Sequence, residues 1–289
     1  MKIYGVDFTS RPSASKPIVC AVCELEEENL ELLEILLLTS FTTFEDLLDT
    51  GSEWICGIDA PFSQPRQLTE DLALPPLWPA YVNAFAAMGR EGFVTCLNAY
   101  REKQPSGKKE HLRFVDTVAK AISPMKLYGV PVGKMFFELA PRLVKTALNI
   151  PLLRPTADKR TVIEVYPSLI ARALLGKQGH KKQGYRKQGY KSDTKKQQTK
   201  ERAETRENLI KALESQKLQA TYGIKVSLTA KQKEMLMNDA KGDTLDAFLA
   251  AIQTAWAYRQ TNFGFPTNVD GLEGWIADPS VTLVGLKKA

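Results

Sequence analysis

Four aspartates stand where carboxylates can do metal chemistry. Asp243 and Asp246 lie three residues apart in Gly242-Asp243-Thr244-Leu245-Asp246-Ala247-Phe248-Leu249-Ala250-Ala251, at the head of an apolar run that predicts a helix. Side chains at that spacing rise from one helix face, with Cβ atoms about 5–6 Å apart, so both acids can reach one metal ion. The pair equally suits a plain helix start, because first-turn acids interact favourably with the positive end of the helix dipole. Asp7 and Asp59 close two short apolar runs, Ile3-Tyr4-Gly5-Val6-Asp7 and Trp54-Ile55-Cys56-Gly57-Ile58-Asp59, that read as strands. The only histidines are His111 and His180, which argues against a histidine general base or a histidine-rich metal site.

These acids need elements to hold them. Periodicity and breakers predict strands over 2–8, 17–24 and 31–38, a helix over 43–50 and a strand over 54–58. A proline-punctuated middle region, 61–158, carries helices near 78–90, 108–121 and 138–148. Arg160-Thr161-Val162-Ile163-Glu164-Val165 gives another β-branched strand, stopped by Pro167 and followed by a helix over 168–175. Helices over 200–215, 230–238 and 243–259 close the order: three strands, helix, strand, a large insertion, strand, helix, then closing helices.

The chain has 289 residues, 44% hydrophobic and 25% charged, which is enough for a large core. It reads as a single domain over 1–289, with a helical insertion at 61–158 and a basic one at 176–200. No run of eighteen apolar residues predicts a membrane span, and the first residues enter a strand directly, so the expected location is the cytoplasm. The pair Cys20 and Cys23 falls in a predicted strand that turns the two thiols to opposite faces, and no second pair completes a zinc site; structural, reduced cysteines are expected.

The net charge of +6 is local. Residues 176–202 hold ten Lys/Arg and two acids, leaving the remaining chain at −2. Within them Lys177-Gln178-Gly179-His180-Lys181, Lys182-Gln183-Gly184-Tyr185-Arg186 and Lys187-Gln188-Gly189-Tyr190-Lys191 repeat a five-residue unit. A glycine in every unit disfavours a helix, and the absence of aliphatic side chains disfavours packing. The segment reads either as a solvated insertion or as an arm that tracks phosphates, with Tyr185 and Tyr190 stacking on bases.

Several phrases together resemble a family of uncharacterised proteins predicted to be RNase H-like nucleases: Gly5-Val6-Asp7-Phe8-Thr9-Ser10, Gly57-Ile58-Asp59-Ala60-Pro61-Phe62, Ser123-Pro124-Met125-Lys126-Leu127, Val132-Gly133-Lys134-Met135-Phe136-Phe137-Glu138, Glu164-Val165-Tyr166-Pro167, Gly242-Asp243 with Asp246-Ala247, and Glu273-Gly274-Trp275-Ile276. The resemblance implies an RNase H-like mixed five-stranded sheet flanked by helices. It makes Asp7 the first-strand acid, Asp59 the acid closing the fourth strand, and Asp243 and Asp246 the final-helix pair. Physics agrees with that placement: adjacent parallel strands put their ends about 4.8 Å apart, and a helix start packed over them adds the other two carboxylates. Acids so close repel unless cations sit among them. Hard oxygen donors suit Mg²⁺ or Mn²⁺, and two such ions can activate water and stabilise the leaving oxygen of a phosphodiester. Glu164 also ends a strand, and is expected either to coordinate metal or to pair with Arg142 or Lys134.

Lys126, Lys134 and Arg142 are expected to hold a substrate phosphate, or else to pair with neighbouring acids such as Glu138. Trp275 is expected as a core or lid residue, or as a stacking surface. The expected function is metal-dependent hydrolysis of nucleic acid, RNA or DNA. Two other classes compete: a non-catalytic nucleic-acid-binding protein, and an ATP-binding phosphotransferase of the actin and sugar-kinase group. The lack of any Gly-Gly pair for glycine-rich phosphate loops counts against the phosphotransferase.

Overall fold

Alternation along the first strand sets the layers. A computed structural model describes residues 1–176 and 189–286. In β1 (Lys2–Asp7), Tyr4 and Val6 enter one hydrophobic cluster while Ile3 enters another on the opposite face, as the two-residue period of a strand requires. β1 pairs antiparallel with β2 (Ile18–Glu26), which pairs antiparallel with β3 (Asn29–Leu38) across a bulge at Val22/Cys23. After helix α1 (Phe41–Asp49), capped by Ser40, the chain returns as β4 (Trp54–Asp59), parallel to β1.

The insertion then supplies α2 (Arg66–Asp71), α3 (Trp78–Ala87), α4 (Gly89–Lys103), α5 (Phe114–Ala119) and α6 (Val132–Val144). Its inner residues, among them Tyr81, Phe85, Phe93 and Phe136, pack as a cluster of aromatic rings in the same core as Tyr4 and Val6. β5 (Arg160–Glu164) adds a further strand parallel to β4. The other core is closed by α7 (Ser168–Leu175), α8 (Lys200–Leu213), α9 (Gln216–Tyr222) and α11 (Asp243–Tyr258). β6 (Lys225–Val226), α10 (Ala230–Asn238) and α12 (Pro279–Leu286) complete the strands and α-helices among the described residues.

The result is a mixed six-stranded sheet, β5-β4-β1-β2-β3-β6, flanked by helices. Five strands were expected. The sixth is a two-residue strand paired in parallel with Asn29 and Leu30, too short to show any alternation in sequence. In the insertion, 108–113 is irregular and only Phe114–Ala119 is helical, whereas α6 begins at Val132, before its expected start. Cys20 and Cys23 are free and buried in opposite cores, as the strand period demands. No helix among the described residues is long and apolar enough to cross a membrane.

Candidate metal centre

Two glycines govern how closely α11 approaches the sheet. Gly5 and Gly57 are register partners on β1 and β4, two residues before Asp7 and Asp59, which are register partners in turn. A Cβ on Gly5 would lie 2.1 Å from the backbone nitrogen of Ala251 and 2.2 Å from the carbonyl oxygen of Ala247; one on Gly57 would lie 2.0 Å from Thr254 Oγ1. Bare strand backbone therefore meets small residues of a helix whose side chains are buried from Leu245 to Ala257. A helix apolar on all sides belongs inside a core, and here it lies across the face that also carries the two strand-end acids.

That contact delivers Asp246 to them. Carboxylate oxygens of Asp7, Asp59 and Asp246 all lie within 4.8 Å of one another, among the described residues the one such grouping of potential metal ligands. The helix start is fixed by Asp239, which accepts the backbone N–H of Gly242 at 2.9 Å and of Thr244 at 2.6 Å. Asp246 is 2% exposed; one of its oxygens accepts the Tyr190 hydroxyl proton and the other pairs with the Lys191 ammonium. Asp243 lines the same cleft but stands outside the triple. Four converging acids were expected and three converge: Asp243, at the first position of α11, has its charge environment set by Asp239, Lys191, Asp193 and Lys16.

Electrostatics record the crowding. Burial pushes the Asp7 carboxyl well above the usual range, Lys191 opposes it, and Asp59 and Asp243 add to it. Burial raises Asp59 to about 7, again opposed by Lys191 and reinforced by Glu164. Asp243 is raised by burial and by Asp239. Desolvated, mutually repelling carboxylates of this kind hold a proton unless a cation is supplied. Hard oxygens at such mutual range fit a divalent cation that prefers oxygen donors.

The acids line a cleft of about 560 Å³. Arg11, Lys16, Lys191 and Lys241 bring positive charge to its lining, while Ile122, Val130, Pro131 and Met135 of the insertion bring apolar surface. Ile122 and Val130 are exposed.

Glu164 lines the same cleft but stands outside the triple. Glu164 is bound into a buried ion pair with Arg113, at 2.6 and 2.8 Å, and also accepts the Phe62 N–H at 3.0 Å. Arg113, 1% exposed, pairs in turn with Asp116 at 2.8 Å. Glu164 therefore pairs with a basic residue, and that residue is Arg113, neither Arg142 nor Lys134. Arg142 pairs with Glu138 and Glu45 and stacks its guanidinium over Phe41; Lys126 lies over the ring of Tyr128. Neither these two nor Lys134 lines the cleft. Tyr190, expected as a stacking surface, is 8% exposed in the core, with its hydroxyl spent on Asp246. Tyr185 lies outside the described residues. Trp275 is buried against Phe114.

Arg113 and Lys191 carry weaker signals in the sequence. Arg113 stands three residues before Asp116, a spacing that signals an ion pair at a helix start. Lys191 ends the last of three repeat units, and nothing in its sequence sets it apart from the other lysines there.

The family described as Protein of unknown function (DUF429) matches residues 5–270, and the chain belongs to that family. No curated protein and no solved structure matches it.

Proposed function

We propose that this DUF429 chain is a divalent-metal-dependent nuclease with an RNase H-like core. The observation that carries the reading is the triple of Asp7, Asp59 and Asp246 at the ends of two adjacent parallel strands and the head of a buried helix. The strand order supports it: an antiparallel meander of three, then two strands parallel to the first on its other side. In that reading Asp7, Asp59 and Asp246 hold Mg²⁺ or Mn²⁺, and Asp243, in the same cleft, assists a second ion. Such an ion, when bound, supplies a polarised phosphoryl oxygen and a water acidified toward neutral pH.

The chain's own residues do the rest. Burial keeps bulk water from screening the acids, so a cation binds them more strongly than it binds exposed carboxylates. Arg11, Lys16 and Lys241 on the cleft lining attract a phosphodiester, as ammonium and guanidinium groups do for phosphate oxygens. The apolar residues of the insertion offer a surface for a base or sugar.

A non-catalytic nucleic-acid-binding protein is the second reading, favoured by one observation: both oxygens of Asp246 are already engaged by Tyr190 and Lys191. One experiment separates the two. The protein and Asp7→Asn are incubated with single-stranded, duplex, hybrid and junction substrates, with and without Mn²⁺ or Mg²⁺. The nuclease reading expects metal-dependent cleavage by the wild type and none by Asp7→Asn, which removes a ligand charge at nearly constant volume. No cleavage of any substrate by a folded, metal-loaded wild type sinks it.

A further inference from the structure

Lys191 reaches the acid cluster along a path made for it. Its aliphatic stem crosses Gly242, where a Cβ would stand 2.7 Å from Lys191 Cβ and 2.8 Å from its Cδ. Its backbone carbonyl accepts from the Arg202 guanidinium, and the carbonyl of Tyr190 accepts from Arg206 at 2.8 Å. The ammonium pairs with Asp246 and opposes the upward shifts of both Asp7 and Asp59, with Lys16 adding a smaller effect at Asp7. Among the described residues, then, the cluster already has a cation in place, and that cation is part of the chain.

We propose that Lys191 is an internal competitor for the divalent-cation site. In the metal-free protein its ammonium takes the Asp246 oxygen that a metal ion needs; on metal binding it leaves that oxygen for the ion. This rests on the metal-site reading above and adds to it a residue that sets cation affinity. The physical basis is substitution of one counter-charge by another. A buried carboxylate left unpaired is costly, so without Lys191 the empty site is strained and an incoming ion relieves the strain; with Lys191 the ion must first displace a charged hydrogen bond. Tyr190, whose hydroxyl engages the other oxygen of Asp246, holds that carboxylate in orientation while the exchange occurs.

The test is calorimetric titration of Mn²⁺ into the full chain and into Lys191→Gln, Lys191→Met and Lys191→Arg, with thermal unfolding of each in chelator and in Mn²⁺. Removal of the charge is expected to tighten Mn²⁺ binding by about tenfold or more, the scale of a charged hydrogen bond, while Lys191→Arg binds as the wild type does. In chelator the neutral variants unfold at lower temperature than the wild type, and Mn²⁺ raises their unfolding temperature by more, since a ligand that binds the native state stabilises it. Lys191→Met keeps an aliphatic stem over Gly242, so it guards against a Gln variant that fails for packing; a variant that folds only with Mn²⁺ present also supports the proposal. Equal or weaker Mn²⁺ binding by a folded neutral variant overturns it and leaves the metal site standing. Absence of Mn²⁺ binding in every form, wild type included, overturns both.

Discussion

Asp59 is the residue whose chemistry is most open to measurement. Its carboxyl is raised to about 7, chiefly by burial, and Asp7 moves in the same direction. A carboxyl raised in the folded state binds a proton there that the unfolded chain has already released. Its stabilising contribution is complete at pH below the usual carboxylate range and is lost as pH rises through about 7. Metal-free protein is therefore expected to unfold at a falling temperature between about pH 5 and pH 8. Over the same interval Mn²⁺ affinity should rise, because ligands must shed protons to bind metal. Asp59→Asn should flatten both trends, and an unfolding temperature in chelator that is level or rising across that interval would refute this account.

At the scale of elements, the decisive contact is between bare strand and small-residue helix. Gly5→Ala places a methyl against backbone atoms of Ala247 and Ala251, which cannot move without moving α11. Gly57→Ala meets the Thr254 hydroxyl first, with Val165 next at 2.9 Å. Overpacking of this kind costs about 1–3 kcal/mol and occasionally more, and Gly5→Ala should be the worse of the two. Thr254→Ala should recover part of the loss in Gly57→Ala but none in Gly5→Ala, a coupling that a double-mutant cycle by chemical denaturation reads directly. Equal rescue of both would mean that α11 rides on side chains and not on bare backbone.

The same contact shows what sequence could and could not reveal. Asp7 and Asp59 were legible because a glycine, a β-branched residue and an aspartate end two apolar runs alike, and Asp246 because it heads an apolar helix. The displacement of Asp243 was not legible, since an i, i+3 spacing fixes a shared face but not how far along that face a cleft extends. Nor was the burial of Tyr190: polar repeats with glycine carry no packing signal, and it is Arg206 and Asp246, distant in sequence, that draw its carbonyl and its hydroxyl inward. The cations in the cleft come from loops, Lys16 from the β1–β2 turn and Lys241 from the segment before α11, whereas the lysines and arginine chosen from family phrases lie on the insertion, with Arg142 neutralised by Glu45 and Glu138. Loop geometry that brings such residues together leaves little periodic trace.

At the scale of the whole molecule, the positive charge is concentrated in one stretch of sequence. Residues 177–188 hold five Lys/Arg and no acid, and the rest of the basic stretch, from Gly189 onward, is anchored at Tyr190 and Lys191. A version with 177–188 replaced by a short Gly/Ser bridge should keep its unfolding temperature and its Mn²⁺ affinity. On the nucleic-acid reading proposed above, its binding to nucleic acid should weaken and lose salt dependence, by about 0.7–0.9 in the logarithmic slope for each phosphate contact removed. Binding measured at several salt concentrations decides the matter: unchanged slopes would show that this segment does not touch phosphate.

Helix α11 also dictates when the site can exist during synthesis. β1 and α11 meet through Gly5 with Ala247 and Ala251, so β1 waits for a helix made long after it. Until that helix leaves the ribosome, the sheet face bearing Ile3, Val19, Ala21 and Ile55 lacks its cover, and Asp7 and Asp59 lack their third partner. Contacts so distant in sequence form slowly, because a long loop must close before they can hold. A chain cut short before α11 thus has both an uncovered apolar face and an incomplete set of acids, so the events that bury the core and assemble the acid triple are one and the same.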